Sequence, residues 1–237
     1  MKKNTKKIVT AAGIAAGTAA VASLYAYVTI KALIDTALDR EMPKVMEKAD
    51  KRISGEKSSD EFTNRMESAS ESLAVQPNET VEIIAHDGEK LVGHYFPCEK
   101  PERVIIAFHG WRSSWHRDFG MISDFWYKNN CSVLYVEQRG QNNSSGEYMG
   151  FGLTERFDCL DWLNWEIERC GSDIPVYLAG VSMGATTVLM AAGLQLPPNV
   201  HGIMADCGFT SANAIWEHIA KDNLHIRFGI RSAIADR

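Results

Sequence analysis

The chain has 237 residues, 45% of them hydrophobic, and a formal net charge of −5. This length suits one domain with an appendage, and the apolar fraction is enough for a substantial core. The mild negative charge, with no extended basic stripe among aromatic residues, argues against a nucleic-acid-binding protein, so we expect no nucleic-acid partner.

The N-terminal segment has the pattern of a membrane anchor. Residues 1–7 contain four lysines, and residues 8–30 contain no charged residue. About 20 apolar residues can span a bilayer as a helix, and the basic flank is expected to stay in the cytoplasm. We predict a basic cytoplasmic N-terminus over 1–7 and one transmembrane helix over 8–30 in the cell membrane, which places the bulk of the chain outside the cytoplasm. A cleaved signal peptide and a buried soluble helix are the alternatives.

Residues 31–79 are polar and charged, with few large apolar residues. A capping box at 58–61 precedes Phe62, Met66, Ala69 and Leu73, which recur at helical spacing. We predict a stalk with one amphipathic helix that ends near Pro77. A disordered tether is the alternative for 47–58.

From residue 80 onwards the pattern is that of an α/β domain, predicted over 80–237. Strands at 81–85 and 91–96 flank an Asp-Gly turn and form an antiparallel hairpin. Further strands are predicted at 103–108, 132–136, 176–181 and 200–205, separated by helices at 115–129, 153–169 and from the end of the fifth strand to 193. This order predicts a mostly parallel sheet with helices on both faces. In helix 153–169, one face is expected to contain Leu153, Phe157, Leu160 and Ile167.

The sequence Gly-Val-Ser-Met-Gly at 180–184 lies between an apolar strand and an apolar helix. This is the context of a nucleophile elbow, whose tight turn requires glycine on both sides of the serine. We predict Ser182 as the nucleophile, facing a pocket at the end of the sheet. The backbone N–H groups of Met183 and of Trp111, in the loop after the third strand, are predicted to form the oxyanion hole.

The partners that a catalytic serine needs are harder to find. Asp206, at the end of the sixth strand, is a candidate acid, with helix capping or loop bracing as the alternative. His109 is expected to brace the oxyanion loop, and His218 or His225 would reach Ser182 only by an unusual route. The remaining histidines are interpreted as surface, loop or strand-start residues, namely His86, His94, His116 and His201.

Cysteine and acidic residues do not form a recognisable metal pattern. The five cysteines include no Cys-x-x-Cys pair, which argues against a zinc site or a disulfide framework. No phosphate or dinucleotide loop is present, so we expect neither metal nor cofactor. Cys131 and Cys207, in or beside core strands, are predicted to be buried thiols, which is unusual for an exported domain.

These motifs resemble the α/β-hydrolase superfamily, and in particular the serine esterase or serine aminopeptidase-like hydrolases of Firmicutes, which often carry an N-terminal membrane segment. The resemblance covers about 80–237, with Glu137 replacing the usual aspartate at a normally structural position. It implies cleavage of esters or amides through an acyl-enzyme on Ser182. Trp111, Trp115 and Phe151 are candidates for an acyl pocket, with plain packing as the alternative. The stretches that carry the resemblance are 108–111, 137–140, 145–146, 150–152, 180–184 and 206–211.

In this family the acid usually follows strand seven and the histidine follows strand eight. The residues after the sixth predicted strand are too few for two more strands with their helices, so we expect an α/β-hydrolase fold that is truncated after strand six. The leading interpretation is a membrane-anchored serine hydrolase, a carboxylesterase or peptidase-like enzyme with an ester or peptide substrate, whose own activity is doubtful. The alternatives are a non-catalytic membrane-anchored binding module or decaying hydrolase fragment, and a transferase that uses the same acyl-enzyme.

Overall fold

A computed structural model of the protein describes residues 61–218 without a break. Before them it describes residues 34–41 and the helical positions 17, 21, 23–25, 27–29 and 31–32. Across these described residues, no helix combines the length and apolarity needed to cross a membrane. Most of the predicted span at 8–30 and the possible tether at 47–58 lie outside the described residues.

Six strands and five helices follow one another between residues 61 and 218. The strands are β1 (Glu79–Ile84), β2 (Lys90–Phe96), β3 (Arg103–Phe108), β4 (Cys131–Glu137), β5 (Val176–Val181) and β6 (Val200–Asp206). The helices are α1 (Glu61–Ala74), α2 (Trp115–Lys128), α3 (Glu155–Cys170), α4 (Met183–Ala191) and α5 (Ala212–His218).

The strands form one sheet in the order β1-β2-β4-β3-β5-β6. The β1–β2 hairpin is antiparallel, β2 is antiparallel to β4, and β3 to β6 run parallel to one another. The chain goes from β3 to β4 on one side and then returns to β5 on the other side of β3. The carboxyl ends of β3 and β5 therefore flank a topological switch point, which is where ligands bind in open α/β sheets.

Helices cover both faces of this sheet, as the sequence predicts. On one face, α3 and α4 pack on apolar side chains of the strands, including Leu91, Ile106, Leu134 and Leu178. On the other face, Ile105, Val133 and Tyr135 pack against α1 and α2 through Leu73, Phe119 and Trp126.

The helix predicted within the stalk is α1, and it packs directly on α2. A Cβ atom added to Gly120 would lie 2.7 Å from the backbone carbon of Ala69, so the two helix backbones touch at this glycine. Ser70 Oγ and His116 Nδ1 are hydrogen-bonded across the same contact at 2.9 Å. The contact places α1 on the sheet layer although it precedes the predicted domain boundary at residue 80.

Of the apolar face predicted for helix 153–169, Leu160 packs half-buried against the core, but the face that α3 mainly buries is a different one. Leu153 precedes α3 and is 53% exposed. The side chains that α3 buries are Glu155, Asp158, Cys159, Trp162, Leu163 and Glu166. These positions follow helical spacing, but half of them are acidic, and an apolar pattern search cannot find a buried face that contains carboxylates.

Candidate active site

Ser182 lies at a sharp turn between β5 and α4, at the carboxyl edge of the sheet. Its backbone has φ 52° and ψ −111°, in the left-handed region that costs a non-glycine residue roughly 1–3 kcal/mol. A Cβ atom on Gly180 would lie 2.3 Å from the backbone of Gly184, and a Cβ atom on Gly184 would lie 1.9 Å from the carbonyl oxygen of Phe108. Both glycines are therefore required by backbone contacts, as expected for a nucleophile elbow.

The first turn of α4 begins immediately after the serine. Met183 is fully buried, and its backbone N–H belongs to the first turn, where N–H groups lack an intrahelical acceptor. The backbone N–H of Ser182 is used elsewhere, since it donates to Asp206 O at 2.8 Å. The positive end of the α4 dipole lies at the same point and favours a developing negative charge. This geometry fits the predicted role of Met183 as an oxyanion donor.

The loop after β3 lies beside the serine. A Cβ atom on Gly110 would lie 3.4 Å from Ser182 Cβ, so the loop backbone lies in direct contact with the serine. Asp118, from the first turn of α2, fixes the loop by accepting from Gly110 N–H at 2.7 Å and from Ser113 Oγ at 2.6 Å. Because the N–H of Gly110 already donates to Asp118, it is not available to an oxyanion. The N–H of Trp111 remains the predicted oxyanion donor of this loop.

His109 braces this loop and is not placed to act as a base. It is fully buried, its Nδ1 is hydrogen-bonded to Gly110 O at 2.7 Å, and its Nε2 accepts from Gln138 N–H at 3.2 Å. Burial lowers the pKa of His109 and favours the neutral ring. Gln138 extends the brace, because Thr187 Oγ1 of α4 donates to its Oε1 at 2.8 Å. These bonds tie the carboxyl ends of β3 and β4 to the elbow helix.

Three other histidines have partners away from the serine. His94 Nε2 is 2.8 Å from Glu137 Oε1, His86 Nδ1 is 2.8 Å from Asp161 Oδ2, and the ring of His201 packs on Tyr177. Burial alone would raise the pKa of Glu137, but hydrogen bonds from His94 and Asn143 lower it below its usual value. Within residues 61–218 no histidine is hydrogen-bonded to Ser182, and His225 lies outside the described residues.

Asp206 is close to the elbow in the sheet. It is the last residue of β6, it pairs in register with Val181, and its side chain is exposed. No hydrogen bond joins its carboxylate to a histidine of the described segment, so its role as the acid remains a prediction. The next residue, Cys207, is also exposed and has φ 47°. The prediction of a buried thiol there is wrong because the strand has already ended in a turn, whereas Cys131 is buried as expected.

Arg139, in the loop after β4, lies at the centre of a buried ion-pair network. Its guanidinium donates to both carboxylate oxygens of Asp158 on α3 and to Asp87 Oδ2 in the hairpin turn at 2.7 Å. Asp158 also lies with His86 and Asp161 in a group whose potential metal-ligand atoms are within 4.8 Å of one another. Because Arg139 occupies both oxygens of Asp158, we assign this group to ion pairing.

An apolar cluster packs directly beside the elbow. Met149, Phe151 and Met183 form its buried centre, and Leu38, Trp111 and Phe209 pack against it. Trp115 is elsewhere: it is the first residue of α2 and is buried, stacked on His94 with ring centroids 4.5 Å apart. Of the three aromatic candidates for an acyl pocket, Trp111 and Phe151 therefore adjoin the serine and Trp115 belongs to the core.

The segment 34–41 also reaches this edge of the sheet, which the sequence pattern does not predict. Backbone hydrogen bonds join Met149 N to Leu38 O at 2.7 Å and Arg40 N to Glu147 O at 2.8 Å. Trp111 Nε1 donates to Ala37 O at 2.9 Å. The segment thus packs over the oxyanion loop and beside the apolar cluster.

Comparison with known proteins places this arrangement in a fold class. The sequence matches no known protein-family profile and no curated protein sequence. An esterase from Pyrococcus furiosus superposes with a TM-score of 0.55 and 24% identity, over 66% of this chain and 60% of that one. DcsB, solved with its substrate analogue, gives 0.51 and 17% over 63% and 54%. The α/β hydrolase GrgF from a Penicillium species gives 0.50 and 20% over 63% and 53%.

These similarities establish an α/β-hydrolase-like fold with a mostly parallel six-stranded sheet. The chain spans about 60% of the length of the Pyrococcus esterase. At this level of identity the likeness concerns the fold, and the chemistry has to be argued from the site itself.

Proposed function

We propose that this protein is a serine hydrolase that cleaves an ester or peptide bond through an acyl-enzyme on Ser182. The observation that carries the proposal is the strained elbow, which presents a serine at a topological switch point and at the N-terminus of α4. Backbone strain at a single non-glycine residue is retained where function requires a fixed geometry. The names of the structural neighbours, an esterase and an α/β hydrolase, agree with this reaction class.

The oxyanion hole proposed for the reaction consists of the N–H groups of Met183 and Trp111. Each such donor contributes about 3 kcal/mol to transition-state stabilisation. The nucleophile also requires a general base, and Asp206 is the proposed acid that would orient it. Since no histidine among residues 61–218 is hydrogen-bonded to Ser182, we infer that the base lies outside the described residues or moves to the serine when substrate binds.

The second candidate function is a non-catalytic binding module. It is favoured by the observation that no histidine among residues 61–218 is hydrogen-bonded to Ser182. Such a protein would keep the fold and the pocket and would not turn over substrate. A folded sample that binds ligand and has no esterase activity would identify it.

We further propose that residues 8–30 anchor the protein in the cell membrane as a single-pass helix, with the N-terminus in the cytoplasm and the hydrolase domain outside. The support is the lysine-flanked, uncharged sequence of this segment. The described helical positions within it include Val21, Leu24, Tyr25, Tyr27 and Val28, all of which are exposed. A run of exposed apolar side chains on a helix is consistent with a lipid environment.

Ester hydrolysis provides the functional test. The full chain is expected to release nitrophenol from nitrophenyl butyrate, and Ser182→Ala is expected to lower kcat/KM by about 1,000-fold or more, because loss of the nucleophile removes the acyl-enzyme route. Ser123→Ala, on α2, is the matched control and should retain full activity. Equal activity of the Ser182→Ala protein and the wild type would refute the proposal.

A further inference from the structure

A polar pocket of about 260 Å³ lies next to the oxyanion loop. Its lining consists of Arg40, Arg112, Ser113, Gly140, Gln141 and Asn142. Within the described part of the chain no carboxylate lines this pocket, whereas two guanidinium groups do. The pocket therefore carries positive charge.

The two arginines are fixed in place by backbone carbonyl groups. Arg40 donates to Asn142 O at 2.6 Å, and Arg112 donates to Thr36 O at 2.9 Å and to Asp39 O at 2.6 Å. Carbonyl groups orient a guanidinium without neutralising its charge. Burial lowers the pKa of Arg112, and the nearby Asp39 carboxylate opposes this shift. Arg112 stays charged at neutral pH, because the guanidinium of arginine does not lose its proton in proteins.

Two buried donors of the lining residues lack an acceptor. Gln141 is 6% exposed, and its Oε1 accepts from Arg112 N–H at 2.6 Å, which fixes the orientation of the amide. Its Nε2 then has no partner among the described residues, and the same is true of Arg112 Nε. A buried donor without an acceptor costs about 1–3 kcal/mol. Both atoms are buried beneath the pocket surface, so the case for a ligand rests on the lining itself: two guanidinium groups and no carboxylate suit a ligand that supplies negatively charged oxygen atoms.

The pocket shares its wall with the candidate active site. Arg112 and Ser113 belong to the loop that begins at Gly110, which lies against Ser182. Ser113 N–H donates back to Gly110 O at 3.3 Å, which makes the loop a tight turn between the two sites. A group bound in the pocket is therefore separated from the serine by one turn of backbone.

We propose that this pocket binds a carboxylate or phosphate group carried by the substrate that Ser182 attacks. The anion site is inferred from the pocket alone. Its assignment to the substrate of Ser182 rests on the function proposed above. The proposal restricts the substrates of Ser182 to esters or amides that carry a carboxylate or phosphate group.

Binding is measured first, because it does not require turnover. The full chain is titrated calorimetrically with glutarate and, in a separate arm, with inorganic phosphate. Gln141→Glu keeps the acceptor for Arg112 N–H and places a negative charge among the donors, so it is expected to raise the Kd of the preferred anion at least about tenfold. Arg40→Gln, which removes one guanidinium on an exposed residue, is expected to weaken binding as well. Gln195→Glu adds the same charge at an exposed position after α4 and should leave the Kd unchanged.

Comparison of the two Kd values identifies the kind of anion that the pocket binds. Binding of glutarate alone indicates a carboxylate, and binding of phosphate alone or more tightly indicates a phosphate group. Failure of both anions to bind the folded wild type would overturn the anion site, as would equal affinities of wild type, Gln141→Glu and Arg40→Gln.

Hydrolysis then tests the link to Ser182. Mono-nitrophenyl glutarate and nitrophenyl valerate have acyl chains of equal length and differ in the terminal carboxylate. If the anion belongs to the substrate, the wild type prefers the charged ester, and Gln141→Glu lowers the ratio of kcat/KM for the charged ester to that for valerate at least about tenfold, whereas Gln195→Glu leaves this ratio unchanged. An unchanged preference would refute the link. If neither ester is cleaved while glutarate or phosphate binds, the proposed function fails and the anion site is retained.

Discussion

Gly184→Ala is expected to prevent stable folding. The added methyl carbon would lie 1.9 Å from Phe108 O, 2.5 Å from Phe108 C and 2.7 Å from His109 O, and all three are backbone atoms at the end of β3 and the start of the following loop. No side chain can move aside to relieve such a contact. The helix α4 would have to shift away from the sheet, so we expect a loss of about 4 kcal/mol or more in the free energy of unfolding, at the extreme of single-residue effects.

Gly193→Ala is the matched control for this prediction. The nearest atom to its added carbon is Met190 O, at 3.3 Å, and its backbone is not left-handed. It changes the same residue type just after the same helix, and we expect a change within about 1 kcal/mol. Urea unfolding followed by circular dichroism gives both values. A Gly184→Ala protein as stable as the control would show that the elbow is packed less tightly than described.

Asp158→Ala is expected to have the second largest effect on stability. Asp158 and Arg139 are both buried, and the carboxylate accepts from two nitrogens of the guanidinium. Removing it leaves a buried cation whose remaining acid is the partly exposed Asp87. Breaking a buried pair on one side typically costs about 3–5 kcal/mol. The midpoint of urea unfolding should fall accordingly.

Two further variants distinguish the effect of losing the ion pair from the effect of changing a helix residue. Asp124→Ala removes an exposed ion pair with Lys128 and is expected to change stability by less than about 0.5 kcal/mol. Replacing both partners, Arg139→Met with Asp158→Leu, removes the stranded charge and should recover a large part of the loss. If the double variant is less stable than Asp158→Ala, the contribution of Arg139 lies in contacts other than this pair.

Much of the fold could be predicted because each strand is bounded by a turn signal and each is apolar. Three features depend only on residues that are adjacent in the sequence and can therefore be recognised there. They are the hairpin turn at Asp87-Gly88, the continuous apolar run of β3 and the glycines of the elbow. Right-handed crossovers restrict how the parallel strands can be connected, but the order β1-β2-β4-β3-β5-β6 is known only from the structure. The elbow turn at Ser182 could be predicted for the same reason, since it places glycine, serine and glycine within five consecutive residues, and the role of Ser182 as nucleophile remains a prediction.

The supporting residues of the site could not be predicted in this way. Asp118 and Gln138 fix the oxyanion loop through contacts between elements that are distant in sequence. The position of Asp118 in the first turn of a predicted helix, directly after a Gly-containing loop, was the available signal. The inner face of α3 could not be predicted because it contains buried acids whose partners lie elsewhere in the chain: Asp158 is paired with Arg139, and Glu155 accepts from backbone N–H groups of the preceding loop.

Labelling by a fluorophosphonate tests the central claim, that the elbow presents an activated serine. The full chain is incubated with the probe, digested, and analysed by mass spectrometry for the modified residue. We predict one adduct, on Ser182, that is absent from Ser182→Ala and from heat-denatured wild type, since only the folded site can position the hydroxyl and stabilise the negative charge that develops on the probe. A folded wild-type protein that remains unlabelled, or that is labelled at another residue, would contradict the account.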